Sequence, residues 1–145
     1  MYLPIFLNIS GKGILIVGGG RVAEQKLNTL SQFTKNITVV APELSAAIKR
    51  KKIHWVEKKY TKQDLDGHFL VYACTNDRKA NQQIQRDAKK QGVLINVADD
   101  PELCDFISPA VYKKGAITVA VSSGGKNTKL AIAWRDQIKE SFKSR

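Results

Sequence analysis

One short stretch constrains this chain more than any other. The apolar run Gly13-Ile14-Leu15-Ile16-Val17 stops at three consecutive glycines, Gly18-Gly19-Gly20, and Arg21-Val22-Ala23 follows. A continuous, largely β-branched run of this length is the pattern of a strand buried on both faces. From Arg21 to Phe33 apolar residues recur at Val22, Ala23, Leu27, Leu30 and Phe33, compatible with one face of a helix. Between strand and helix, Gly18, Gly20 and Ala23 fit the spacing GxGxxA, and each has a physical job. Gly18 permits the tight turn out of the strand. Gly20 lets backbone approach a pyrophosphate with no side chain in the way. Ala23 is small enough for the helix to lie close to the sheet. The helix opening here aims its free N–H groups and positive dipole end at the phosphates. The competing interpretation is a glycine turn without a ligand, and the strand before it and helix after it favour the dinucleotide.

The same alternation continues downstream. Ile37 to Val40, Ile53 to Val56, Phe69 to Ala73 and Leu94 to Val97 read as four further strands. Leu44 to Lys51 reads as a short basic helix. A longer helix, capped by Asn76 or Asp77, runs to about Lys90 and stops at Gly92. Five strands separated by crossovers predict an α/β, Rossmann-type, mainly parallel sheet with helices on both faces. The alternation ends near Asp100. Phe106 to Tyr112 and Ala116 to Ser122 then read as a hairpin turning at Lys113-Lys114-Gly115. A last helix runs from about Thr128 to Phe142, with Leu130, Trp134, Ile138 and Phe142 at four-residue spacing. The expected division is a nucleotide-binding domain over residues 1–112 and a C-terminal strand-and-helix element over 113–145, suited to dimerisation or to a substrate cleft.

The ends of the predicted strands carry the chemistry, since ligands of open parallel sheets bind beyond the carboxyl ends of the strands. Where an Asp or Glu would ordinarily bond the ribose about 20 residues after the glycines, this chain has Val39-Val40-Ala41-Pro42-Glu43. Glu43 and the backbone of Pro42 and Glu43 are the ribose candidates. No arginine replaces the acid at the strand end, which favours NAD over NADP, although Arg50 and Lys51 keep the phosphorylated cofactor open. Thr75 and Asn76 are candidates for the nicotinamide half, helix capping being the alternative. Asp99, after the fifth strand, is placed to take a proton as hydride leaves to NAD. Its alternative is an acidic turn before Pro101.

Composition narrows the partners. With 145 residues and 43% of them hydrophobic, the chain can bury an ordinary core. No apolar run approaches the ~20 residues that span a bilayer, and the start lacks a basic segment and cleavage site, so a cytoplasmic protein without a membrane partner is expected. Cys74 and Cys104 lack metal or disulfide-framework spacing, and His54 and His68 suit no metal site. The net charge of +11 favours an anionic partner. It is spread along the chain rather than interleaved with aromatics on one element, so nucleic acid is not expected.

Several segments, taken in order, resemble one family. They are Pro4-Ile5-Phe6, the stretch Ile14 to Ala23, Ala73-Cys74-Thr75-Asn76-Asp77, Asn96-Val97-Ala98-Asp99-Asp100-Pro101, Phe106-Ile107-Ser108-Pro109-Ala110 and Val119-Ala120-Val121-Ser122-Ser123-Gly124-Gly125. Together they look like the precorrin-2 dehydrogenase module, which occurs alone or at the N-terminus of siroheme synthases. The resemblance runs from about Pro4 to Arg135. It implies oxidation of precorrin-2 to sirohydrochlorin with NAD, with iron insertion as an additional activity of some members, and a homodimer. It implies that Asp99 is the essential aspartate, that Arg21, Val22, Pro42 and Glu43 contact the nucleotide, and that Asn96 and Ser123 border the tetrapyrrole. In some members the matching serine is phosphorylated. A substrate rich in carboxylates would also give the basic charge a reason, with Lys113, Lys114, Lys126, Lys129 and Arg135 as candidates. One departure stands out. Lys126-Asn127-Thr128 replaces the Thr-Ser-Pro that usually opens the last helix. A nucleotide-sensing module from another class would need the glycine loop but neither Asp99 nor the Ser-Ser-Gly-Gly turn.

Overall fold

A computed structural model describes residues 1–143. Five parallel strands form one sheet in the order β3-β2-β1-β4-β5. They are β1 (Gly13–Val17), β2 (Ile37–Ala41), β3 (His54–Glu57), β4 (His68–Ala73) and β5 (Leu94–Val97). β1 lies between β2 and β4, so the strand order reverses beside it, and the crevice at such a reversal is where open sheets bind ligands.

Alternation along each strand divides the core in two. Ile14 and Ile16 face α1 (Arg21–Leu30), packing with Ala23, Leu27 and Leu30 and with Ile48 of α2 (Ala46–Lys49). Leu15 and Val17 face the other way, onto Ile84 and Ala88 of α3 (Arg78–Gln91). Helices therefore cover both faces, as the near-continuous apolar strands require.

The helix boundaries follow local chemistry. α1 ends at Leu30, before Phe33, and the next residues form a turn closed by Phe33 and Thr34 N–H bonds to the Leu30 carbonyl. α2 starts at Ala46 rather than Leu44 because the Ser45 hydroxyl caps it, accepting from the Ile48 N–H, and it ends at Lys49. Asp77, rather than Asn76, caps α3 by accepting from Lys79 and Ala80. Gly92 ends α3 in the left-handed conformation that glycine adopts without a steric cost.

The chain forms two compact units, residues 5–106 and residues 1–4 with 107–145. In the second unit β6 (Ala110–Lys114) pairs antiparallel with β7 (Ile117–Val121) through the two-residue turn Gly115-Ala116. The strand therefore starts later than Phe106, which instead packs edge-on against Tyr72 of β4. α4 (Thr128–Lys143) needs no proline to start, since the Asn127 side chain accepts the Leu130 N–H at 3.0 Å. Ala131 is its one buried residue, Arg135 bonds the Val111 carbonyl, and Phe142 stacks near Tyr112. That leaves Leu130 and Trp134 about half exposed, on a face the hairpin does not use.

Candidate functional site

Three loops meet at the carboxyl edge of the sheet. The Gly18 N–H bonds the Val40 carbonyl, Ser45 N–H bonds the Gly19 carbonyl at 2.7 Å, and Cys74 N–H bonds the Val17 carbonyl. The glycines differ in what they do there. Gly18 has φ +123°, and a Cβ on it would stand 2.5 Å from the Cys74 carbonyl oxygen, so only glycine suits the turn. Gly19, to which the spacing argument gives no job, is as constrained: a Cβ there would run into the Glu43 carbonyl. Three glycines in a row were the available signal. Gly20 is different again. Its backbone is extended, with no positive φ, and a Cβ would meet nothing of the protein within 4 Å.

That open space lies at the start of α1, where Gly20 is the N-cap and no side chain caps the helix. The first-turn N–H groups of Arg21, Val22 and Ala23 precede the first bond of the helix, Glu24 N–H to the Gly20 carbonyl. Donors, dipole and missing side chain converge on one spot, and a pyrophosphate fits it. Pro42 and Glu43 are exposed just beyond β2, bordering the same loop.

The second half of the site is a cleft of ≈ 440 Å³ between the loops after β4 and β5, lined among others by Thr75, Asn76, Asn81, Ala98, Asp99 and Asp100. Thr75, Asn76 and Asp99 are thus brought to one place. A larger hollow, ≈ 610 Å³, lies between the turn at Lys62 to Asp66 and the α3 residues Gln83 to Gln91. It adjoins neither the glycine loop nor Asp99, and the smaller cleft is the one with the chemistry. Thr75 is fixed by Asn81, a buried side chain that the sequence argument did not single out. The Asn81 Oδ1 accepts from the Thr75 hydroxyl (2.6 Å) and N–H, and its Nδ2 donates to the Thr75 carbonyl. Asn76, freed from capping, is exposed to the cleft.

Asp99 has φ +62°, the only non-glycine with positive φ among the described residues. Asp tolerates this left-handed conformation better than most, yet such a residue at a cleft is strained backbone of the kind found at functional sites. Its side chain is exposed. Asp100 instead lies 3.8 Å from the Arg78 guanidinium. Asn96 is buried and outside the cleft lining. Its Nδ2 donates to the Phe106 carbonyl at 2.9 Å, while its Oδ1 has no hydrogen-bond partner among the described residues. On the same face Lys26 of α1 extends over the Tyr72 ring, its ammonium 5.7 Å from the ring centroid. Burial pulls the Lys26 pKa down, opposed by its attraction to Cys74, Cys104 and Asp99. Lys26 is also missed by motif reasoning, because it lies inside an ordinary helical stretch. Burial pushes the Cys74 thiol up to about 12.

In the other unit, Ser123 is half-buried and its hydroxyl accepts from Asn127 N–H at 2.7 Å, holding the turn before α4. Lys126 is exposed. Lys113, Lys114 and Arg135 donate to backbone carbonyls of their own unit. Among the described residues no group of three or more His, Cys, Asp or Glu side chains could hold a metal ion, and no helix is long and apolar enough to cross a membrane.

The parallel sheet, its glycine-loop helix beside the strand reversal and the cleft beyond β4 and β5 define a dinucleotide-binding domain of the Rossmann type. The chain belongs to the family described as putative NAD(P)-binding, which matches residues 5–110. Its relatives include the siroheme synthases of Nitrosococcus oceani (40% identical over 141 residues) and Photorhabdus laumondii (38% over 141 residues). Each match covers 94% of this chain, which spans about 30% of the length of those relatives. Among solved structures, the precorrin-2 dehydrogenase SirC is similar with a TM-score of 0.81 and 29% identity, over 99% of this chain and 70% of that one.

Proposed function

We propose that this chain binds NAD and uses it to dehydrogenate precorrin-2 to sirohydrochlorin. The observation that carries the reading is the Asp99 carboxylate, held at a strained turn in the same cleft as Thr75 and Asn76, beside a glycine loop shaped for a pyrophosphate. When bound, NAD supplies the hydride acceptor. The chain's own residues do the rest. Gly18 and Gly20 shape the loop, and the Arg21 and Val22 N–H groups hold the phosphates, with Pro42 and Glu43 at the ribose. Thr75 and Asn76 orient the nicotinamide half. Asp99 takes the proton that leaves with the hydride, a general-base role. Ser123, Lys126 and Asn96 are proposed to border the carboxylate-rich substrate. Similarity to SirC, and to siroheme synthases along nearly the whole chain, supports this substrate. Incubation with precorrin-2 and NAD, followed by the tetrapyrrole spectrum and NADH formation, tests it. Absence of both with active precorrin-2 refutes the reading. Ferrous iron added afterwards reports whether the same site also inserts the metal.

A cytoplasmic homodimer completes the proposal. Leu130, Ile132 and Trp134 of α4 and Ile117 of β7 are 40–55% exposed, more large apolar surface than one short element ordinarily leaves in water. A dimer mass by light scattering, converted to monomer by Trp134→Glu, is the expected result. A monomeric wild-type chain at tens of micromolar counts against it.

A further inference from the structure

The turn that presents Asp99 is closed by a thiol. After β5 the chain reverses over Ala98-Asp99-Asp100, passes through the 3₁₀ turn Pro101–Leu103, and Cys104 returns beside the strand. The Cys104 Sγ lies 3.1 Å from the Val97 N–H, which donates to it, and 3.3 Å from both the Val97 and Asp100 carbonyl oxygens. Asn96 Nδ2 approaches the same sulfur at 3.6 Å. One atom therefore touches both feet of the turn, Val97 before Asp99 and Asp100 after it. The next residue fastens the return: Asp105 N–H bonds the Ile95 carbonyl, and its carboxylate accepts the Ile95 N–H.

We propose that Cys104 is the positioning residue of the active-site turn, its thiol holding Asp99 in the left-handed backbone that points the carboxylate into the cleft. The inference rests on the reading of Asp99 as the proton acceptor. A backbone in this region relaxes unless its surroundings fix it; here one backbone bond, Asp100 N–H to the Val97 carbonyl at 3.3 Å, spans the turn, and the side-chain bonds at its two feet converge on the sulfur. The thiol must keep its hydrogen in order to donate to a carbonyl while accepting from Val97. Burial raises the Cys104 pKa, keeping the hydrogen in place. Neither role needs a reactive thiolate, so the residue works as a hydrogen-bonding group rather than a nucleophile.

The test is a double-mutant cycle on the full chain, measuring kcat, KM for precorrin-2 and NAD affinity separately. Cys104→Ala should lower kcat by ~10–10²-fold, the scale of a modest misplacement of a reacting group, with NAD affinity unchanged. Cys104→Ser, which can still donate and accept, should recover most of kcat. In an Asp99→Asn background, Cys104→Ala should cause no further loss. If the alanine variant fails to fold, Cys104→Val replaces it, filling the volume without bonding. The proposal is overturned if the non-bonding variant keeps the wild-type kcat, or if its loss is the same in the Asp99→Asn background. An Asp99→Asn protein with full activity would instead sink the reading of Asp99 itself.

Discussion

The glycine loop and the Asp99 turn stand at the same edge of one sheet, yet they are built by opposite means. The loop is defined by what is missing. Gly18 and Gly19 lack Cβ atoms because the Cys74 and Glu43 carbonyls occupy that space, and Gly20 lacks one although the protein leaves the space open. The turn is defined by what is present. A non-glycine residue is held at φ +62°, and the neighbouring groups are tied by the Cys104 sulfur and the Asp105 carboxylate. Binding a phosphate backbone calls for close approach by main-chain N–H groups, whereas moving a proton calls for one side chain at one position. The two loops divide those tasks.

The sharpest way to break this division is at Asp99. Asparagine keeps the shape and tolerates the left-handed backbone, so Asp99→Asn removes the base with little disturbance. Turnover should fall by ~10²–10⁴-fold, with NAD affinity nearly unchanged because the loop lies elsewhere. Asp100→Ala should do much less, since its side chain makes only a long contact with the exposed Arg78. Steady-state NADH formation separates the two. Loss in Asp100→Ala with retention in Asp99→Asn would reverse the assignment.

The next largest effect should distinguish two adjacent glycines. Gly20→Val should abolish NAD binding by calorimetry while the melting midpoint stays close to wild type, because the new side chain enters space the protein does not use. Gly19→Ala should do the reverse at first sight: its Cβ meets backbone, which cannot swing aside, and stability should drop by about 1–3 kcal/mol. Unchanged NAD affinity in Gly20→Val would mean that the pyrophosphate lies elsewhere.

The contrast also explains what could be read from the chain. The strands were legible because burial on both faces writes itself as apolar runs, and the glycine loop because its spacing follows from sterics. The end of α1 was not, since Phe33 continues an apolar rhythm while lying in the turn after the helix. On α4 the four-residue spacing of Leu130 and Trp134 identified a helix but not the buried face, which runs through Ala131. In the site, Asp99 was visible as a carboxylate at a strand end, whereas the side chains that hold the cleft were not. Asn81 and Cys104 act through hydrogen bonds to backbone near in space, and no local pattern marks such bonds.

Lys26 gives the smallest expected effect and the finest comparison, because it belongs to the loop's helix and yet interacts with the turn. Desolvation lowers its pKa below the ordinary lysine value of 10.5, and attraction to Cys74, Cys104 and Asp99 only partly opposes this. Burial raises both of those thiols. A lysine whose folded pKa is depressed adds stability above its unfolded pKa, and that contribution is lost as pH falls through the folded value. At neutral pH the charged ammonium is therefore a net cost to folding. Lys26→Met keeps the aliphatic packing and removes the charge, so its melting midpoint at pH 7 should exceed that of the wild type. The advantage should shrink as pH rises through the interval between the lowered value and 10.5, and vanish above it, where the lysine is neutral in both states. Midpoints measured for both proteins across this pH range decide the matter. A Lys26→Met midpoint below wild type at pH 7, with the deficit closing at high pH, would mean that the ammonium stabilises the fold.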